Sequence, residues 1–555
     1  MSESRTPTSI DGIAEGWIST YIDLDPTVAT YIGVAGRLGE YADYSPAGAE
    51  AMAEAKRKVI AALDATDAVD SVDRVTQTDL RASLSLDIEA HAAGLHLRDL
   101  NVLASPATEI RDIFDLMPTE TEADWADIAG RMNAVPAALA GYTETLRKGI
   151  DKGITPARRQ VLAVAQLTDQ IAAPAGFFTS FSTSSSLDLP ETLRTALATG
   201  AASATEAYAA FTDFLRSELA PVATTVDAVG REAYALHSRR FLGSAIDLDE
   251  TYEWGIEELA RMRSEQEAIA HEIKPGASVE EAIAILDADP TRLLHGTDAL
   301  QAWMQELSDR AVSELAQSHF DIPAEIQRLE CMIAPTQSGG IYYTGPSDDF
   351  SRPGRMWWSV PVGETEFATW RQKTTVFHEG VPGHHLQIGQ AVVNRGQLNT
   401  WRRQLAGTSG HAEGWALYAE RLMEQLGYLD DPADRLGMLD AQRMRAARVV
   451  LDIGVHLGKP RLDGTGSWDF DYALAFFREN CHESDASTLF EVNRYFGWPG
   501  QAPSYKVGQR LWEELRDEAH RRAGDSFSIR DFHSRALALG GVGLDTLRTA
   551  VLDFD

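Results

Sequence analysis

Helical periodicity runs through most of this chain and limits its fold more than any other feature. Apolar residues recur at three- and four-residue steps over residues 51–63, 74–95, 125–149, 156–172 and 193–219. The positions between them hold mostly Ala, Glu, Leu and Arg, which are good helix formers. A helix with one apolar stripe buries it only against another element, so a long succession of such helices predicts helix packed on helix. The breaks are short: residues 180–190 form the clearest loop, and Lys274-Pro275-Gly276 another. With no internal repeat and no long linker, the reading is a mainly α protein. Two lobes share one cleft, a helical N-terminal lobe over 1–330 and a lobe over 331–555 that carries the chemistry.

Charge narrows the partners. Among 555 residues there are 50 Lys and Arg against 83 Asp and Glu, a net charge of −33. Nucleic acid is held by clustered cationic side chains, and anionic membrane surfaces attract the same groups, so neither is expected. The acidity reads as solubility, or as steering of cationic ligands if a cleft is its focus. No apolar run reaches the ~18 residues of a membrane span. Residues 1–17 lack the apolar core of a signal peptide. Two cysteines, Cys331 and Cys481, are few for a secreted chain of this size. The expected compartment is the cytoplasm.

One stretch departs from the helical pattern. Residues 339–346 read Gly-Gly-Ile-Tyr-Tyr-Thr-Gly-Pro, and 356–362 read Met-Trp-Trp-Ser-Val-Pro-Val. Both are aromatic and β-branched, with turn residues between them, which predicts a small antiparallel ribbon. A helical stretch over 364–379 follows and ends in His378-Glu379-Gly380-Val381-Pro382-Gly383-His384-His385. Two His at i and i+4 on a helix, with a Glu beside the first, are the usual zinc-peptidase arrangement. Here the second His stands at i+6 or i+7. In an unbroken helix i+6 points about 120° away and i+7 lies about 10.5 Å along the axis, so neither joins His378 on one ion. Pro382 removes a helical donor and clashes with the carbonyl of His378, while Gly380 and Gly383 permit unusual torsions. The helix is therefore expected to break and return His384 or His385 toward His378. The bland alternative is that these histidines favour a helix C-terminus. For a His-Glu pair with two more His behind a Pro-Gly break, the metal reading is preferred.

A zinc site needs a third protein ligand and an open position. Glu413, in Gly410-His411-Ala412-Glu413-Gly414-Trp415, is expected at the start of a helical stretch running to Leu426. Most such Glu residues only meet the helix dipole. Its candidacy rests on the motif before it.

The string from His378 to Gln387 resembles the signature of a bacterial family called domain of unknown function 885. Ser351-Arg352-Pro353-Gly354, residues 413–420 and residues 499–508 are similar to further motifs of that family, in the same order. The family in turn resembles the mostly helical zinc peptidases related to thimet oligopeptidase, angiotensin-converting enzyme and the thermophile carboxypeptidases. That resemblance implies a two-lobed helical fold around a deep channel and a Zn²⁺-dependent metallopeptidase acting on short peptides, with one Zn²⁺ per chain. It puts His378, His384 and Glu413 in the ligand slots, with His385 as the alternative to His384, and Glu379 in the place of the catalytic base. Related enzymes often set an acidic residue four after the ligand Glu. That place here is Leu417, so the carboxylate that orients a histidine is expected from Glu420 or Asp452.

An oxyanion in such a site takes a donor besides the metal. Residues 494–506 offer Tyr505 first and Tyr495 second. Arg494 or Lys506 is a candidate for a substrate carboxylate. Tyr342 and Tyr343 of the ribbon are candidate substrate contacts, because a strand edge can take up an extended peptide. His411 either lines the cleft or neighbours a cap. His456 follows an apolar run and is either a substrate contact or a buried His bonded to a carbonyl. Two rival functions remain: a zinc amidohydrolase on a non-peptide amide or ester, and an inactive metal- or peptide-binding protein. Glu379 argues against the latter, since a pure ligand site has no use for a base.

Overall fold

A computed structural model describes residues 5–334 and 340–553. The protein is mainly α. The predicted helices form as Pro46–Asp64, Ser71–Ala92, Glu122–Lys152, Arg158–Ile171 and Glu191–Phe214. Ser45, Asp70 and Thr121 each place a side-chain oxygen on the free N–H groups of the following turn. The last of these stretches continues into a π-helical turn, Leu215–Leu219.

The apolar residues close separate cores. One lies within residues 100–223 and includes Trp125, Met132, Tyr142 and Phe211. The main core runs from Tyr234 to Val551, with Val75 joining it. A smaller one holds the first helices against Trp401. Helix Leu248–Ile273 packs along helix Pro432–His456. Packing thus joins residues 234–330 to the part of the chain beyond 331. A cavity of about 1000 Å³ lies where the first helices, residues 95–109 and residues 496–499 meet.

The expected ribbon is present: Ile341–Thr344 pairs antiparallel with Gly354–Trp358. Gly339, its expected first residue, lies outside the described residues. A third strand, Leu329–Ile333, runs parallel to the far side of Gly354–Trp358, so the unit is a mixed three-stranded sheet. The stretch 364–379 is helical only from Thr369. Glu366–Ala368 is instead drawn into an antiparallel pair with Leu293–His295, a tertiary pairing that outweighs local pattern. No helix among the described residues is long and apolar enough to cross a membrane. Cys331 and Cys481 are free and buried.

Candidate metal centre

The break in the His378 helix is built as the composition demands. Helix Thr369–Glu379 stops where the Gly380 N–H donates to the Val376 carbonyl at 2.9 Å. Four residues later a new helix, His384–Val393, begins. The Gly383 N–H folds back onto the Phe377 carbonyl at 3.1 Å, and the His385 N–H onto the Gly380 carbonyl at 3.1 Å. A Cβ on residue 383 would collide with the His378 carbonyl oxygen, so only glycine permits this return. The Trp415 indole N–H donates to the Pro382 carbonyl at 2.8 Å and holds the turn from the neighbouring helix. His384 thereby comes beside His378, with ring centroids 4.9 Å apart and planes at 89°.

Glu413 completes a cluster. Its helix, Ser409–Gln425, is capped by Thr408, whose Oγ1 accepts from the His411 N–H. Glu413 therefore sits in the second turn and not at the helix start expected from the sequence, and its position is not explained by the dipole. Its Oε2 lies 3.3 Å from His378 Nε2 and 3.6 Å from His384 Nε2. One ligand atom from each of the three residues falls within 4.8 Å of the others. Both histidines are buried, and so is the Glu413 Oε2 that faces them, although the Glu413 side chain as a whole stays 23% exposed.

Glu420, one of two expected orienting carboxylates, takes the other side of His378. His378 Nδ1–H donates to Glu420 Oε1 at 2.7 Å, and Thr374 Oγ1–H donates to Oε2 at 2.7 Å. Glu413 and Glu420 are seven residues apart, two turns and about 10.5 Å on one helix face. The His378 ring spans the gap and turns Nε2 toward Glu413. Asp452 is elsewhere, accepting from Tyr234 Oη–H at 2.6 Å and the Gly500 N–H at 2.9 Å.

The electrostatics invite positive charge. Burial alone lowers the His378 pKa, but hydrogen bonds to Glu413 and Glu420 outweigh it and raise it to about 10. Burial opposes ionisation of Glu413, yet His378 and His384 hold it well below the carboxylate range. Glu379 moves the other way: burial raises it, and its buried Oε2 has no hydrogen-bond partner among the described residues. Two imidazoles and a carboxylate, one imidazole backed by a second carboxylate, form a donor set suited to a zinc-like dication.

The remaining candidates separate. His385 turns away: its Nδ1 meets Tyr343 Oη at 2.9 Å and its Nε2–H donates to the Ile326 carbonyl at 2.8 Å. Tyr343 is therefore committed to holding His385, and Gly354 is bare because a Cβ there would strike both rings. Tyr342 is exposed and stacks on Trp357. Burial first, and then the charge of Glu413, raises the Tyr505 phenol. Tyr495 is not free to donate elsewhere: it accepts from Arg448 Nε at 2.7 Å and donates to Glu491.

Lys506 is a correction. It is buried, with Nζ on Glu258 at 3.0 Å, Gln442 at 3.0 Å and Gln509 at 2.9 Å. Arg494 is paired with Glu491 and Gln501. His411 is buried against Trp512, and the His456 Nε2–H donates to the Tyr495 carbonyl at 2.9 Å. Both are buried. Arg445 went unnoticed in the sequence. It shares a helix face with Gln442, which touches Glu420, and with Arg448, which lies over the Tyr505 ring. Its guanidinium bonds only to the Ala441 carbonyl among the described residues, and its charge lowers the pKa of both Glu379 and Glu420. Its spacing along the helix was the available signal.

The family described as "Bacterial protein of unknown function (DUF885)" matches residues 26–551. The chain belongs to the DUF885 family. A putative lipoprotein from Colwellia psychrerythraea shares the DUF885 protein's fold at a TM-score of 0.82, with 21% identity over 98% of this chain and 99% of that one. A putative lipoprotein of unknown function from Shewanella oneidensis follows at 0.76, with 17% identity over 99% and 100%. A structure titled "PZ PEPTIDASE A with inhibitor 2" aligns over 90% and 93% at 10% identity and a TM-score of 0.35, too low to bear on the fold. A search of curated proteins returns no match.

Proposed function

We propose that this DUF885 protein is a zinc-dependent metallopeptidase that hydrolyses peptide bonds in short peptides. The observation that carries the reading is the unpartnered, buried carboxylate of Glu379 next to the convergent His378, His384 and Glu413. A site that only held metal would gain nothing from a second, unliganded carboxylate. Bound zinc would supply Lewis acidity and a water of lowered pKa. Glu379, with its raised pKa, takes the proton of the attacking water and delivers it to the leaving amine. Tyr505 Oη–H donates to the oxygen that gains charge, while Glu420 keeps His378 in the tautomer that presents Nε2. Arg445, with no carboxylate bonded to it among the described residues, is assigned to a substrate carboxylate or the developing oxyanion. The net charge of −33 favours neither nucleic acid nor anionic membrane as partner, and the two free buried cysteines favour the cytoplasm.

The test is a mixed-length peptide library incubated with the zinc-loaded protein and read by mass spectrometry, with metal analysis of the parent and of Glu413→Ala. Stoichiometric zinc lost in Glu413→Ala, together with new peptide termini, is the expected outcome. A parent free of zinc refutes the metal site. Zinc without any peptide cleavage, but with turnover of small amides or esters, refutes the peptidase in favour of an amidohydrolase.

A further inference from the structure

We propose that Arg445 holds the C-terminal carboxylate of the peptide, so that cleavage releases its last one or two residues. The choice of a peptide rests on the metallopeptidase reading; the carboxylate-binding test does not. Arg445 lies on helix Pro432–His456 and is partly exposed. Its Nη1–H donates to the Ala441 carbonyl at 3.1 Å, a bond within its own helix, and its Nε is buried without an acceptor. Its Nη2 is unbonded among the described residues and open to solvent. The accessible side of this guanidinium is therefore the side that has no partner.

Its neighbours on the helix face place it. Residues three apart on a helix share a face and are offset by about 4.5 Å along the axis. Three residues before it, Gln442 Nε2 reaches Glu420 Oε2 at 3.4 Å, on the carboxylate that backs His378. Three residues after it, the Arg448 guanidinium stands 5.1 Å from the centroid of the Tyr505 ring. Arg445 thus lies between the carboxylate behind the metal ligand and Tyr505. Its charge lowers the pKa of Glu379, Glu420 and Tyr505 alike, as a cation within reach of all three does.

The neighbouring cations are paired. Arg448 gives its Nε–H to Tyr495 Oη at 2.7 Å and its Nη2–H to Glu491 at 3.1 Å. Arg494 bonds Glu491 at 3.1 Å and Gln501 at 2.6 Å, and Lys506 bonds Glu258 at 3.0 Å. A guanidinium needed only to balance Glu379 or Glu420 would close onto one of them, because the bidentate Arg–carboxylate pair is the strong geometry. Arg445 bonds neither: Glu420 is held by His378 and Thr374, and Glu379 Oε2 is unpartnered. The open Nη2 is left for an anion from outside, and the group that gives every unblocked peptide an anion is its C-terminal carboxylate. One extended residue spans about 3.3 Å, so a carboxylate held this close to the cluster sits one or two residues beyond the bond being cut. Water adds across that bond, leaving a new carboxylate on the shortened peptide and an amine on the released fragment.

Full-length Glu379→Gln protein, chosen so that bound peptide is not turned over, is titrated calorimetrically with N-acetyl-trialanine and with its C-terminal amide, with zinc and without. The free acid should bind at least tenfold more tightly than the amide in both arms. Arg445→Gln and Arg445→Met, each added to that protein and checked for folding by circular dichroism, should erase the difference, and Arg445→Lys should restore part of it. Equal binding of acid and amide, binding of neither, or a preference that survives in a folded neutral variant would overturn the proposal. With the zinc-loaded parent, mass spectrometry should show acetylated peptides losing one or two C-terminal residues, and amidation should raise KM at least tenfold. Internal cleavage of amidated peptides at unchanged KM would overturn the proposal and leave the peptidase reading standing. Carboxylate-dependent binding without cleavage of any peptide would refute the peptidase reading and leave the Arg445 site standing.

Discussion

Replacing Glu420 by Gln tests whether the cluster is a metal centre held from behind. Glu420 is 1% exposed and its two oxygens serve His378 Nδ1–H and Thr374 Oγ1–H, each at 2.7 Å, with Gln442 Nε2 at 3.4 Å. A Gln side chain keeps the volume but has one acceptor oxygen and an NH₂ group, so a donor is left facing a donor. The charged bond to His378 goes as well. A charge-assisted hydrogen bond contributes about 1.5–3 kcal/mol, and loss of such an outer partner costs roughly 10–100-fold in metal affinity, or about 1.4–2.8 kcal/mol. Competition against a chromophoric zinc chelator measures the dissociation constant, and circular dichroism reports folding. Thr374→Val leaves the carboxylate and its bond to His378 in place, removing only a hydroxyl donor to the far oxygen, and should cost about threefold. A folded Glu420→Gln protein whose zinc affinity lies within twofold of the parent would refute the reasoning.

Glu379→Gln should keep its zinc and lose at least ~100-fold in kcat on a peptide; retained turnover excludes Glu379 as the base. Tyr505→Phe should lower kcat by ~100-fold with KM little changed, whereas Tyr495→Phe should lower the melting temperature and spare kcat, and the reverse pattern would exchange their roles. Gly383→Ala should destabilise the fold by about 2 kcal/mol and weaken zinc, because the added methyl strikes the His378 carbonyl; a parent-like denaturation midpoint and zinc affinity would contradict that geometry. Burial raises the Asp452 carboxyl to about 7. A carboxyl raised above its unfolded value keeps its proton in the native state, so its contribution to stability falls as pH rises from about 4 to 7, by up to ~1.4 kcal/mol per unit. Asp452→Asn should therefore gain on the parent in urea denaturation across that window, and parallel curves would disprove the shift.

Much of the site was readable because local chemistry left few alternatives. A His-Glu pair followed by Pro and two Gly cannot continue as a helix, and the chain indeed stops at Glu379 and restarts at His384. The helical repeats were equally plain, since an apolar stripe at helical spacing has only one way to be buried. Lys506 and Tyr495 misled for the opposite reason. A Lys or Tyr beside a Pro-Gly loop has the same local character whether it faces a cleft or a buried Glu, and only the partners Glu258, Gln442 and Glu491 settle it.

Sequence alone determined that the protein is helical, that residues 378–384 must break, and which residue types meet there. Tertiary structure decided which histidine returns, because Tyr343 and Ile326 claim His385 from elements far along the chain. It also decided that Glu420, two turns beyond Glu413, backs His378. Each of these depends on what packs against a side chain from a distant segment, and periodicity and spacing carry no record of that.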